Sequence, residues 1–182
     1  AGFIGSNFVH YWLREHPDWE IRVLDTLTYA GNIENLREIL YKIDFFEGDI
    51  TQKRDVSQAM REVNWVAHFA AESHVDRSRF DPQRFFKTNV DGTRIVLESA
   101  LEAGVDRVHH VSTDEVYGAL PLDSKERFNE TTPYNPNPNN PYAASKAEAD
   151  HLARRFQSET GLHITISNCS NNFGRFHYPE KF

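Results

Sequence analysis

A-G-F-I-G-S-N-F (1–8), followed by I-R-V-L-D (21–25), decides the fold. Gly2 and Gly5 run straight into a helix-period stretch, and the β-rich segment after it ends on a carboxylate. Glycines in such a turn let the backbone approach a pyrophosphate, and the helix N-terminus faces its negative charge. Asp25 stands 20 positions after Gly5, where a carboxylate accepts both ribose hydroxyls of NAD and repels the extra phosphate of NADP. An exposed Asp at a strand end is the plainer alternative. The strand that should precede the turn is absent from the sequence.

Outward from this segment the chain alternates. Short β-rich runs at 21–25, 44–49, 65–70, 107–112 and 163–168 are separated by helix-period stretches. Helices are predicted over Gly5–His16, Asp55–Val63, Arg84–Gly104 and Tyr142–Thr160, with Gly104 and Gly161 as C-terminal stops. The pattern predicts an α/β fold: a Rossmann-like, doubly wound parallel sheet with helices on both faces, truncated at both ends. The run T-T-P-Y-N-P-N-P-N-N-P (131–141) forbids regular structure, and is either a surface loop or a loop covering a site.

The 182 residues, 39% hydrophobic and 13% aromatic, suffice for one sizeable core. A net charge of -7 without a basic block argues against nucleic acid or anionic membrane and for a small-molecule partner. No apolar run approaches the ~20 residues of a membrane span, and no signal peptide opens the chain. The single Cys169 excludes an internal disulfide, fits a reducing cytoplasm and reads as a packed core thiol. His68, His109 and His110 lie in strands without metal-ligand spacing and read as packing or supporting residues, so no metal site is expected.

Two further segments carry chemistry. In V-S-T-D-E-V-Y-G (111–118), Asp114 and Glu115 follow a core strand directly, with Thr113 before them. Burying adjacent carboxylates is costly and raises the pKa of at least one, which acid/base chemistry uses and a fold rarely needs. In Y-A-A-S-K (142–146), Tyr142 and Lys146 are four apart and share a helical face, so the ammonium should hold the phenol partly ionised at neutral pH. Tyr142 is then a candidate acceptor for a substrate hydroxyl proton. Asp49, in G-D-I (48–50), either reaches the adenine of the cofactor or is a plain turn residue.

Taken together, these segments resemble the extended short-chain dehydrogenase/reductases, and among them the dTDP-glucose 4,6-dehydratases. The resemblance rests on A-G-F-I-G-S-N-F (1–8), L-D-T-L-T-Y-A-G-N (24–32), G-D-I (48–50), F-A-A-E-S-H-V-D-R-S (69–78), T-N-V-D-G-T (88–93), H-V-S-T-D-E-V-Y-G (110–118), P-Y-A-A-S-K (141–146) and N-C-S-N-N-F-G (168–174). It implies NAD as cofactor and a nucleotide-sugar substrate, with dTDP-glucose foremost, in a cytoplasmic homodimer. It also implies that Tyr142 takes the C4 hydroxyl proton, with Lys146 beside it and Thr113 on the same oxygen. Glu115 then removes the C5 proton, and Asp114 protonates the departing C6 hydroxyl. Gly2, Gly5, Asp25, Thr28, Asp49, Ile50, Ala70, Ala71, Ser73, Thr88 and Asn172 are implied along the cofactor, and Ser73, Asn171 and Lys181 at the substrate.

The sequence departs from that pattern in places. The first strand and the smaller C-terminal substrate domain are missing, so the chain reads as an internal piece: one incomplete NAD-binding domain over 1–182. Arg175 stands where the family has proline, and N-P-N-P-N-N replaces a shorter approach to Tyr142. Alternative readings are a nucleotide-sugar 4-epimerase or decarboxylase, which needs no Asp-Glu pair, and a dinucleotide-binding fragment without turnover.

Overall fold

The computed structural model describes residues 1–121 and 123–178. Its strands are β1 (Ile21–Asp25), β2 (Ile43–Glu47), β3 (Trp65–His68), β4 (Arg107–Thr113) and β5 (His163–Cys169). The α-helices are α1 (Phe3–Glu15), α2 (Lys53–Ala59), α3 (Val75–Phe80), α4 (Pro82–Phe86), α5 (Thr93–Ala103) and α6 (Pro141–Thr160). Every strand pair is parallel, as crossover helices require.

The α/β alternation is as expected, but the continuous sheet is not. β1 pairs with β2, Ile21 opposite Ile43 through Asp25 opposite Glu47. β4 lies between β3 and β5 in a second sheet, with Arg107 opposite both Trp65 and His163. Among the described residues no strand joins β1 to β3, because none lies between them to carry the ladder. Residues of both strands instead line one cleft.

Alternation along β1 sends neighbouring side chains to opposite faces. Ile21 and Val23 pack with Val9, Leu13 and Leu36, so α1 and the 3₁₀ segment Ile33–Lys42 cover one face. Leu24 joins the larger cluster on the other side, where Val56, Val96, Leu97, Ala153 and Phe156 bring α2, α5 and α6 against Val108 and Ile164. Leu97 and Val108 are fully buried, each side chain worth about 1.5–3 kcal/mol of transfer free energy.

Several boundaries move for local reasons. The helix expected over 84–104 is continuous, as α4, a π-helical stretch Lys87–Gly92 and α5, with the junction residues all in the right-handed helical region. The buried Asn89 sits in that widened turn with its side chain fully engaged, and π turns are concentrated at functional sites. β3 ends two residues short of the expected segment, leaving Phe69, Ala70 and Ala71 to turn toward the cleft. Gly104 and Gly161 close α5 and α6 in the left-handed region, φ 70° and 77°, as expected. The 3₁₀ segment Ile33–Lys42 and α3 lack a pattern legible in the sequence. Among the described residues no helix is long and apolar enough to cross a membrane.

Candidate active site

The cleft between the sheets encloses about 1900 Å³. Every site residue expected from the sequence borders it, except Lys181, which lies outside the described residues. At its dinucleotide end, α1 opens at Gly2 with no side-chain cap, so the first-turn N–H groups remain available to an anion. Asp25 closes β1 beside them: Oδ1 accepts the Leu27 N–H at 2.8 Å and Oδ2 meets the Ala1 nitrogen at 2.7 Å. A Cβ at Gly31 would collide with Asp25 Oδ1, so glycine there keeps the carboxylate's space open. These features fit a dinucleotide.

Other cofactor candidates are placed less directly. Asp49 behaves as a turn residue, its Oδ1 capping Thr51 N–H at 2.8 Å, although it still borders the cleft. Ile50 borders the cleft too, but its side chain belongs to the core beside Gly92. Thr28, Ala70, Ala71, Ser73 and Thr88 line the wall between the two ends. Asn172 donates to Ser170 O at 2.9 Å, and Asn171 is exposed at the rim.

At the other end β4 delivers its last residue, the buried Thr113, and a 3₁₀ turn Asp114–Tyr117 carries both carboxylates half-buried. Burial pushes the Asp114 carboxyl up, against hydrogen bonds from backbone N–H groups and the Thr113 side chain that pull it down. The cause is thus desolvation and not the neighbouring Glu115, to which the adjacency in sequence points. Glu115 Oε2 accepts the Asn140 amide at 2.5 Å. Asn140 Oδ1 also accepts Ala143 N–H at 3.1 Å, capping α6 just ahead of Tyr142.

Tyr142 and Lys146 share a face of α6, but the phenol is not eased toward ionisation. Burial first, then the Glu115 charge, push its pKa up, while a hydrogen bond with Thr113 opposes them. The Lys146 ammonium donates to Val111 O at 2.8 Å. Burial lowers Lys146 to about 8. Cys169 is half-buried at the cleft, its thiol donating to Ser112 O at 3.2 Å, so it is not the enclosed core thiol expected.

Sequence reasoning missed the supports. Asn89 binds both backbone groups of Glu72, at 2.8 Å and 2.9 Å, and Ser145 Oγ at 2.9 Å, tying the 70–73 wall to α6. Glu72, itself buried, accepts Arg84 Nε at 2.6 Å and Tyr29 OH at 3.1 Å, which fixes the same wall to α4 and to the loop after β1. Both residues stand inside segments quoted for the resemblance, yet only the fold reveals their partners. Among the described residues no group of His, Cys, Asp and Glu could hold a metal ion.

Glycine turn, strand-end Asp25, Tyr142-Lys146 pair and the residues after β4 meet at one cleft. A sequence model describing NAD dependent epimerases and dehydratases matches residues 1–182. The chain belongs to the NAD dependent epimerase/dehydratase family. It is 53% identical over 182 residues to a dTDP-glucose 4,6-dehydratase of Mycobacterium tuberculosis (strain CDC 1551 / Oshkosh), covering 100% of this chain and 54% of that protein. A crystal structure of a dTDP-glucose 4,6-dehydratase from Streptomyces venezuelae with NAD bound superposes at a TM-score of 0.92 and 46% identity, over 99% of this chain and 56% of that one. A UDP-glucose 4-epimerase of Thermus thermophilus in complex with NAD gives a TM-score of 0.82 at 34% identity, over 92% and 52%. The chain thus spans about half the length of the curated relatives it matches.

Proposed function

We propose that the full-length protein removes water from a nucleotide-activated hexose, dTDP-glucose foremost, giving the 4-keto-6-deoxy sugar. The observation that supports this reading is the Thr113-Asp114-Glu115 turn at the end of β4, whose two carboxylate residues line the cleft that Tyr142 borders. NAD, when bound, supplies a transient acceptor that oxidises C4 and is regenerated by returning the hydride at C6. Gly2, Gly5 and the open start of α1 hold its pyrophosphate, and Asp25 its ribose.

The chain's own residues handle the protons. Tyr142 Oη takes the C4 hydroxyl proton while Thr113 Oγ1 hydrogen-bonds the same oxygen. The resulting ketone makes the C5 hydrogen acidic, Glu115 removes it, and C5 is reprotonated as hydride reaches C6. Asp114, whose burial favours the protonated form, donates to the departing C6 oxygen. Ser73, Asn171 and Lys181 are assigned to the substrate, Asn171 to its sugar diphosphate.

The epimerase reading remains because an epimerase shares this fold, but epimerisation gives the Asp114-Glu115 pair no task. Mass spectrometry separates them. Incubation of the full-length protein with dTDP-glucose and NAD should give a product lighter by one water, whereas a product of unchanged mass would favour epimerisation. A cytoplasmic homodimer completes the proposal: Phe80 and Phe86, exposed on the adjoining helices α3 and α4, supply apolar surface for a second copy, and sedimentation tests it.

A further inference from the structure

Behind the Tyr142-Lys146 face lies a buried polar cluster that the proposed chemistry does not use. Asp150 follows Lys146 by one turn of α6 and is wholly buried. Its Oδ2 accepts Ser112 Oγ at 2.8 Å, Tyr134 OH at 2.8 Å and Asn168 Nδ2 at 3.0 Å. Its Oδ1 faces His110 Nε2 at 3.2 Å, and that same nitrogen lies 3.5 Å from Lys146 Nζ. Among the described residues His110 Nδ1 has no hydrogen-bond partner. Asp150 Oδ1 likewise has no hydrogen-bond partner among the described residues, so His110 Nε2 meets it as a close polar contact and not as an aligned hydrogen bond. Burial lowers His110 to about 4, so the imidazole between Lys146 and Asp150 is neutral.

One buried cation and one buried anion remain, separated by a neutral imidazole. An isolated buried ammonium is very costly, so a compensating charge has a definite task. We propose that Asp150 is a positioning residue whose fixed negative charge, set behind His110, keeps Lys146 charged beneath Tyr142, with Tyr134 of the 131–141 loop clamping Asp150 from outside. The inference rests on the assignment of Tyr142 and Lys146 to the proposed reaction. Lys146 is also faced by Tyr142 on its own helix, His68 on β3 and Cys169 on β5; Asp150 is faced by Tyr117 and Tyr134, with Arg154 donating to Tyr134 OH at 2.8 Å. Of these, Asp150 is the anion wholly buried with Lys146, and its donors hold it ionised although burial alone would raise it.

The decisive experiment titrates Lys146 by NMR of ¹³Cε-lysine in the full-length protein without added cofactor, assigning the signal by its loss in Lys146→Met. Asp150→Asn keeps shape and removes charge, so the Lys146 midpoint should fall by about one pH unit or more. His110→Gln keeps the charge and a neutral bridge, and should move it far less. An unmoved midpoint in Asp150→Asn overturns the proposal. Should that variant not fold, the wild type decides: the Asp150 ¹³Cγ signal should read as ionised from about pH 5 to about pH 9, and a neutral carboxylic acid there refutes it. In turnover assays the alkaline limb of kcat/KM should move down with the Lys146 midpoint, which a merely structural role for Asp150 would not produce. Absence of dehydration by the wild type would sink the functional reading while leaving the NMR result interpretable.

Discussion

Asn140 donates its side-chain amide to Glu115 at 2.5 Å and, through the other atom of the same amide, accepts Ala143 N–H at 3.1 Å. One side chain therefore sets both the start of the Tyr142 helix and the direction of the proposed base. The two tasks separate by substitution. Asn140→Ala should lose the cap, costing about 1 kcal/mol of stability, and should also release Glu115. Asn140→Asp retains a good cap but turns a carboxylate on Glu115, so its melting temperature should stay nearer wild type while turnover drops on the order of 10-fold to 100-fold. Equal turnover in Asn140→Asp and wild type would remove Asn140 from the catalytic arrangement.

Oxidation and elimination use different residues in the proposed scheme, so they should come apart. Glu115→Gln in the full-length protein should still let NAD become reduced on mixing with dTDP-glucose, without release of the keto-deoxy product. Tyr142→Phe should abolish both signals. Asp114→Asn should leave exchange of the C5 hydrogen with solvent deuterium intact and slow water loss. Each loss should be about 10²-fold to 10⁴-fold, the range for a positioned acid or base. Near wild-type turnover by Glu115→Gln would sink the base assignment and favour epimerisation.

The cleft residues legible in the sequence were those whose type and spacing suggest a task by themselves. Gly2, Gly5 and Asp25 follow from the needs of a pyrophosphate and a ribose, and Tyr142 with Lys146 from helical periodicity. The strands were legible for the same reason, since β1 needs only its own apolar alternation. Asn89 and Glu72 were not, because what they do depends on partners 17 and 12 residues distant or more, brought together only by folding. Nor could spacing show that Lys146 turns to Val111 O and that the Tyr142 phenol is pushed up rather than down. The divided sheet was hidden as well: each strand reads alike whether or not its edge is paired.

Cofactor choice follows from Asp25. Its carboxylate, held by Leu27 N–H at the end of β1, would face the extra phosphate of NADP at close range. The full-length protein should prefer NAD, and Asp25→Ala should narrow the gap, read as the ratio of dissociation constants for the two dinucleotides. Comparable binding of both by the wild type would count against the assignment.

His68 and His110 are buried with lowered pKa values, His110 at about 4, through desolvation first, followed by His110 and then the Lys146 charge for His68 and by the Lys146 charge for His110. The unfolded chain therefore binds more protons between the ordinary histidine value near 6.5 and about 4. The sign is that of a depressed basic group: stability is full above about pH 6.5 and declines as pH falls toward 4. Urea midpoints measured across that window should drop steeply, and His110→Asn should flatten the slope. A wild-type midpoint constant from pH 7 to pH 4 would contradict the buried neutral imidazoles.

The divided sheet bears on the 182-residue chain taken alone. β4 is bonded on both sides, by β3 and β5, whereas β1 and β3 each present one unpaired edge to the cleft. Unpaired edges leave N–H groups open to water and invite pairing with another chain. Trp65, on β3, is also 46% exposed and meets Trp19, just ahead of β1, edge-on. Opening of the weak half should thus precede global unfolding. Hydrogen exchange should find β4 amides the most protected and those of β1 and β3 markedly faster, with a broad melt and no tight binding of dTDP-glucose. Uniform protection across all strands, with a sharp melt, would mean that the cleft edges are satisfied in a way the ladder does not account for.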